Sequence, residues 1–314
     1  MQSRTTETHK VPVKRATLAE VAEALGVGKP TVSRALNDYP DISEDTKRRV
    51  REMANKLGYV GSSRARQLQK GAADTIGLLV TAASEGLQSA YQSEFTGALA
   101  AALDGHGLDL LLHAVQDPAA EIDTYNRLWQ QGKVDGFVLM RTRIRDERIN
   151  FLMERGVPFV TQGRSDLADR HSWIDIDSEE AFAQGIEFLA RQGHRRIAMI
   201  SGDPDIFSTS LREDGYRAGL ESAGLPYDPT LIVPGDFSAA CGRLGLKQLV
   251  DSASGVTAIL CANDATAMGA ISQAHELGLS VPEQLSVMGY DGVRMAEMFS
   301  PPLTTLSHSA AESG

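Results

Sequence analysis

Leu18, Val21, Ala22 and Leu25 fall at i, i+3, i+4 and i+7, an apolar stripe along one face of a helix. Thr17 and Glu20 stand three residues apart, the spacing at which the two side chains can cap a helix start reciprocally. Gly26 ends this helix by supplying a left-handed turn residue. A second short helix is predicted next, with Gly28 as N-cap and Pro30 in the first turn, where a missing N–H costs nothing. Its Val32, Ala35 and Leu36 point back at the first helix, which leaves Lys29, Pro30, Thr31, Ser33 and Arg34 on the outer face. A third helix is predicted over 43–57: Ser43 is the N-cap, Glu44 and Asp45 favour the positive end of the dipole, and Gly58 follows the end. Val50, Met53, Ala54 and Leu57 form its buried stripe, with Lys47, Arg48, Arg49, Arg51 and Lys56 mostly elsewhere.

From Thr75 the pattern changes. Short apolar runs at 76–80, 108–113, 136–140, 158–161, 196–200, 258–261 and 285–288 alternate with amphipathic stretches at 94–104, 121–131, 179–192, 212–222, 239–250 and 265–277. Strand–helix alternation of this kind predicts parallel sheet with helices on both faces, an α/β fold in two halves. The expected organisation is a disordered tail over 1–15, a three-helix headpiece over 16–60, a hinge over 61–74 and a two-lobed doubly wound domain over 75–314. Lobe one takes about 75–172 plus 303–314, lobe two about 173–302, and the chain crosses back near 301–306. The hinge is small, polar and basic, flanked by Gly61 and Gly71.

Charge sharpens this division. The chain's net charge of −10 argues against a nucleic-acid partner, but its distribution reverses that reading. Residues 1–74 hold 14 basic and 9 acidic residues, and the remainder 17 and 32. A basic end on an acidic body fits one DNA-contacting module on a domain that avoids DNA. The exposed face of the second helix agrees: Thr31 and Ser33 can reach phosphate, and Arg34 can fork onto guanine. Cys241 and Cys261 have no metal or redox spacing and read as small packed hydrophobes in a reducing cytoplasm. The sequence has no apolar run of about 18 residues and no signal-peptide core, so neither a membrane partner nor secretion is expected. His106, His113, His171, His194 and His308 lack metal-ligand spacing, and no nucleophile–base constellation or phosphate loop appears; no cofactor, metal or enzymatic activity is expected.

In open parallel sheets ligands bind where strands end and loops lead into helices. Arg141 and Arg143 follow 136–140, Gln162 follows 158–161, Ser208 and Arg212 follow Gly202-Asp203-Pro204, Phe237 lies in Gly235-Asp236-Phe237-Ser238, Asn263 and Asp264 follow 258–261, and Asp291 follows 285–288. Amides, carboxylates, arginines and an aromatic face suit a polyhydroxylated ligand. Bland alternatives stand beside these: Asp264 and Asp177 as helix N-caps, Arg141 and Arg143 as surface charges, and Arg212, Asn263 and Asp291 as structural groups.

The headpiece pattern of Thr17-Leu18, Val21-Ala22, Gly26-Val27, Thr31-Val32-Ser33-Arg34, Asn37, Thr46, Val50 and Leu57-Gly58-Tyr59 resembles the lactose/galactose repressor (LacI/GalR) family of bacterial transcription regulators. That resemblance implies a helix-turn-helix headpiece on a periplasmic-binding-protein-like effector domain, and a regulator, most simply a repressor, whose operator affinity a small molecule controls. It implies DNA contacts from Thr17, Leu18, Lys29, Pro30, Thr31, Ser33, Arg34, Asn37, Tyr59, Ala65 and Leu68. Ala65-Arg66-Gln67-Leu68 matches the family's hinge helix, with Leu68 as the minor-groove wedge. Gly61-Ser62 stands where the family often has Pro-Asn, which raises the cost of ordering the hinge. Arg212 in Arg-x-x-Gly-Tyr, Asn263 in Ala-Asn-Asp and Asp291 in Gly-Tyr-Asp match effector-contacting positions. Phe237 stands where some sugar-responsive members carry tryptophan, and Tyr91, Gln162 and Arg141 join them by the same resemblance, while Ser208 joins by its place after Gly202-Asp203-Pro204. The implied partners are near-palindromic double-stranded operator DNA, a sugar and a second copy of the chain, in a cytoplasmic, nucleoid-associated protein. A purine or a protein as effector, or a doubly wound enzyme with an accessory DNA module, are the alternatives. Family members continue for a further helix and strand, so the first lobe is expected to end incomplete at Gly314.

Overall fold

The computed structural model describes residues 16–59, 71–81, 89–252 and 255–314. The expected tail at 1–15 and most of the hinge, with Ala65 and Leu68, lie outside the described residues. The chain divides into two compact units, 1–72 and 73–314.

In the first unit α1 (Leu18–Leu25) opens with the reciprocal Thr17–Glu20 cap and closes on Gly26 at φ 65°. Then come α2 (Lys29–Leu36), capped by Gly28, and α3 (Glu44–Leu57), where the Ser43 hydroxyl accepts from Thr46 N. Val21, Ala22, Val32, Ala35, Val50 and Ala54 form the core. Two residues of α3 depart from the expected stripe. Leu57 is 38% exposed, whereas Lys47 is buried. Lys47 lies one turn before Val50, so its methylene stem covers core while its Nζ reaches Glu44 at 2.7 Å and Asp38 at 3.8 Å.

The second unit holds two parallel five-stranded sheets. The first is built from β1 (Thr75–Thr81), α4 (Ala90–Gly105), β2 (Asp109–Val115), α5 (Glu121–Gln130), β3 (Gly136–Leu139), α6 (Glu147–Glu154), β4 (Phe159–Gln162) and β5 (Ser172–Ile174), in strand order β2-β1-β3-β4-β5. The second follows with α7 (Ser178–Arg191), β6 (Ile197–Ile200), α8 (Phe207–Ser222), β7 (Ile232–Val233), α9 (Ala239–Asp251), β8 (Ala258–Cys261), α10 (Asp264–Glu276), β9 (Ser286–Asp291), α11 (Arg294–Met298) and β10 (Thr304–Ser307), in order β10-β9-β8-β6-β7. A last helix, α12 (Ala310–Ser313), returns to pack against α4 of the first lobe. Strands β3, β6 and β8 are buried along their whole length, as expected of sheets covered on both faces. Separate apolar clusters lie on the two faces of each sheet. Both cysteines are free thiols; burial raises the pKa of Cys261.

The sheets divide the chain differently from the expected boundaries. Residues 172–174 complete the first sheet, and 304–307 complete the second instead of joining the first. The crossings therefore fall at 175–177 and 308–309. Both edge strands are only three or four residues long and largely exposed, so neither produces a readable run. Among the described residues no helix is long and apolar enough to cross a membrane.

Candidate functional sites: the recognition helix and the interlobe cleft

Helix α2 presents Lys29, Pro30 and Arg34 to solvent, with Thr31 and Ser33 half-buried beside them. Arg34 is not free on that face. Its Nη2 pairs with Asp41 Oδ2 at 2.5 Å, and its guanidinium lies 5.3 Å from the Tyr39 ring centre. Asn37 turns back to donate its Nδ2 to Ser33 O at 2.8 Å. Thr17 is committed to the cap of α1, and Leu18 and Tyr59 pack on the headpiece core.

All eight cleft residues singled out in the sequence line a single cavity of about 810 Å³, open mouth included, at the carboxyl ends of the two sheets. Tyr91, Arg141 and Gln162 come from the first lobe, on the first turn of α4, after β3 and at the end of β4. Ser208, Arg212, Phe237, Asn263 and Asp291 come from the second, on α8, before α9, before α10 and at the end of β9.

Aromatic faces hold the guanidiniums. Arg212 Cζ lies 4.5 Å from the Tyr290 ring centre and 5.4 Å from that of Phe237, and its Nη1 donates to Ala262 O at 2.8 Å. Arg212 Nε is buried with no acceptor among the described residues. Arg141 reaches across from the other lobe to 5.2 Å from Phe237. Burial pulls the Arg141 pKa below its ordinary value, partly opposed by Asp203 and reinforced by Arg143 and Arg212. Gly202 makes room for the Phe237 ring, since a Cβ there would sit 2.2 Å from Phe237 Cζ. Three lining residues adopt positive φ without being glycine: Arg141 at 53°, Phe237 at 72° and Asp291 at 119°. Such conformations persist only where the surroundings impose them, and they gather at ligand sites.

Polar groups complete the wall. Gln162 Nε2 donates to the Tyr91 hydroxyl at 3.0 Å. Burial raises the pKa of that phenol well above its ordinary value, aided by Asp291 and Tyr290 and opposed by Arg212. Asn263, not Asp264, is the N-cap of α10: its Oδ1 accepts from Thr266 N at 2.9 Å while its Nδ2 donates to Phe237 O at 3.0 Å. Asp264 instead accepts from Val293 N at 2.8 Å and Thr305 Oγ1 at 2.5 Å, tying α10 to α11 and β10. Burial pushes its carboxyl up to about 6 against those hydrogen bonds. Asp177 does cap α7, accepting from Glu180 N at 3.0 Å. Arg143 points away from the cleft to Glu121 at 2.8 Å.

Several lining residues were not assigned to the cleft from sequence, among them Asp175 and His308. Asp175 and His308 each follow a strand, so the rule that found the others applies to them, but β5 and β10 went unrecognised. Asp175 Oδ2 accepts from Arg164 Nε at 2.8 Å. His308 sits between the rings of Tyr91 (5.2 Å) and Tyr290 (4.8 Å), its Nε2 3.4 Å from Asp291 Oδ1. Among the described residues neither of its nitrogens has a hydrogen-bond partner.

Comparison with known proteins agrees with both units. Residues 17–62 match the bacterial regulatory proteins of the lacI family, and residues 186–314 match the periplasmic binding protein-like domain. The HTH-type transcriptional regulator CelR of Thermobifida fusca is 34% identical over 300 residues, covering 94% of this chain and 87% of CelR. The chain belongs to the LacI family. The HTH-type transcriptional repressor PurR of Yersinia pestis (strain Pestoides F) is also 34% identical, over 93% of this chain and 85% of its own length. A solved CelR–cellobiose complex superposes with a TM-score of 0.73 at 31% identity, over 95% of this chain and 90% of that one. The lac repressor dimer bound to operator and the anti-inducer ONPF superposes with a TM-score of 0.83 at 27% identity, over 95% and 89%. This LacI-family protein is accordingly a DNA-binding transcription regulator, and its relatives are regulators and not enzymes.

Proposed function

We propose that this regulator is a repressor whose operator affinity is set by a sugar held in the interlobe cleft. The observation that carries the reading is the Phe237 ring flanked by Arg141 from one lobe and Arg212 from the other. Pyranose faces pack on aromatic rings, and guanidinium donors with nearby carboxylates match vicinal hydroxyls. The likeness to a regulator solved with cellobiose supports the same class. A sugar touching both lobes favours one degree of closure, and only such a preference can change DNA affinity.

The DNA face is that of α2. Lys29 and Arg34 reach guanine, Thr31 and Ser33 reach phosphate, and Pro30 packs against a thymine methyl. A dimer presents two such helices to a near-palindromic operator. Exposed Leu244, Met295 and Met298 on the second lobe, at 70%, 56% and 77%, provide apolar surface for self-association.

A purine is the second reading, favoured by the planar faces of Tyr91, Phe237 and Tyr290 around the cleft. Thermal-shift measurement across mono- and disaccharides, nucleobases and nucleosides decides between them, because a ligand bound only by the folded state raises the melting temperature. We expect a shift with a glucoside and none with nucleobases; the reverse pattern would refute the sugar.

A further inference from the structure

The loop from β3 to α6, residues 140–146, carries Arg141 and rests on three buried charges. Arg148, Asp146 and Glu121 are 4%, 0% and 3% exposed. Arg148 meets Asp146 in a two-point contact, Nε to Oδ1 at 2.9 Å and Nη2 to Oδ2 at 2.6 Å. Its Nη1 reaches Glu121 at 3.2 Å, and Glu121 also accepts from Arg143 at 2.8 Å. What remains of Arg148 serves the backbone: Nη2 donates to Arg141 O at 2.9 Å and Met140 O at 3.3 Å. The Arg141 carbonyl is thus turned inward while its φ of 53° accompanies a side chain aimed at Phe237. Burial would raise the Asp146 carboxyl, but the Arg148 contacts outweigh it and hold it below the usual carboxylate range.

The same loop touches the other lobe through main chain. Phe207 N donates to Thr142 O at 2.8 Å, Ile144 N donates to Asp205 O at 2.8 Å, and Arg143 and Ile206 form an antiparallel bridge. Thr142 Oγ1 also donates to Arg164 O at 2.6 Å, and Arg164 pairs with Glu179 on α7 at 2.8 Å. The residue that lines the cleft and the clasp that joins the lobes are consecutive in sequence.

We propose that Arg148 is a positioning residue for the effector response: by holding the carbonyls of Met140 and Arg141 it fixes both the aim of Arg141 into the cleft and the main-chain clasp between 142–144 and 205–207. The part concerning Arg141 rests on the cleft being the effector site; the clasp does not. A lysine keeps the charge beside Asp146 and Glu121 but cannot hold two carbonyls and a carboxylate in one planar fork.

Amide hydrogen exchange on the full chain without ligand tests the clasp. In Arg148→Lys, exchange at the Ile144 and Phe207 amides should rise about tenfold while β3 stays protected. No change at those amides, or an equal rise throughout β3, would overturn the proposal. Should Arg148→Lys not fold, Glu121→Gln takes one acceptor from the Arg143–Arg148 pair; the same two amides should loosen about threefold, and no loosening there counts against the proposal equally. Calorimetric titration with cellobiose tests the aim. Arg148→Lys should weaken binding about tenfold in the parent and not at all in an Arg141→Ala background, since both act through one contact. Additive losses would show a merely structural role. Failure of cellobiose to bind the parent would strike the sugar reading alone and leave the exchange result standing.

Discussion

The headpiece and the cleft each present arginines at the sites proposed for recognition, and they hold them in opposite ways. Arg34 keeps a carboxylate at 2.5 Å, with both partners about half exposed. Arg141 and Arg212 have no such carboxylate among the described residues, and lie instead on Phe237 and Tyr290. The difference follows from solvent. An exposed ion pair contributes only about 0–1 kcal/mol, so Arg34 can exchange Asp41 for DNA at small cost. A buried pair costs several kcal/mol to break, so on the proposed function an arginine that serves an uncharged ligand is better held by ring faces, with a donor such as Arg212 Nε left unfilled.

The comparison breaks most readily at the buried end. Arg212→Met should weaken sugar binding by about 1.5–3 kcal/mol, roughly 10- to 100-fold, with operator affinity in the absence of sugar unchanged; calorimetry and DNA titration measure the two separately. Retained sugar affinity would mean that its unfilled Nε does not face the ligand. At the exposed end, Arg34→Ala should reduce the preference for operator over random duplex by about 1–3 kcal/mol while leaving sugar affinity intact. Undiminished preference would remove Arg34 from the reading face. The smallest effect sharpens the contrast. Asp41→Asn releases Arg34 from its surface pair and should raise affinity for random duplex by about fivefold at most, an effect that shrinks as salt increases. A loss of affinity on that change would mean Asp41 orients Arg34 toward DNA and does not compete with it.

The two regions were also unequally legible. The headpiece could be read nearly residue by residue, because caps, turn glycines and a helical apolar stripe are local signals: Thr17, Gly26, Ser43 and Gly58 each do what their position implies. Leu57 and Lys47 were the exceptions, the latter because an ammonium with two acidic partners can cover core as well as an aliphatic side chain does. In the body the alternation disclosed the doubly wound class, while the lobe boundaries depended on edge strands too short to carry a period. His308 and Asp175 were lost with those strands. Helix α6 was hidden for a different reason, since its buried face includes Arg148, a charge that only its tertiary partners make tolerable. Asn263 and Asp264 are adjacent and both able to cap, and only the structure tells which carboxamide or carboxylate faces the helix end.

Between the last residue of β5 and the first of α7 lie three residues, and between β10 and α12 only two. An extended residue spans at most about 3.6 Å, so these straps have almost no slack. Connections this short limit how far the halves can slide or separate, and they leave turning about the straps as the freer motion. Asp175 and His308 sit in those straps and also wall the cleft. On the proposed function, a ligand lodged there would bear on the straps that join the halves.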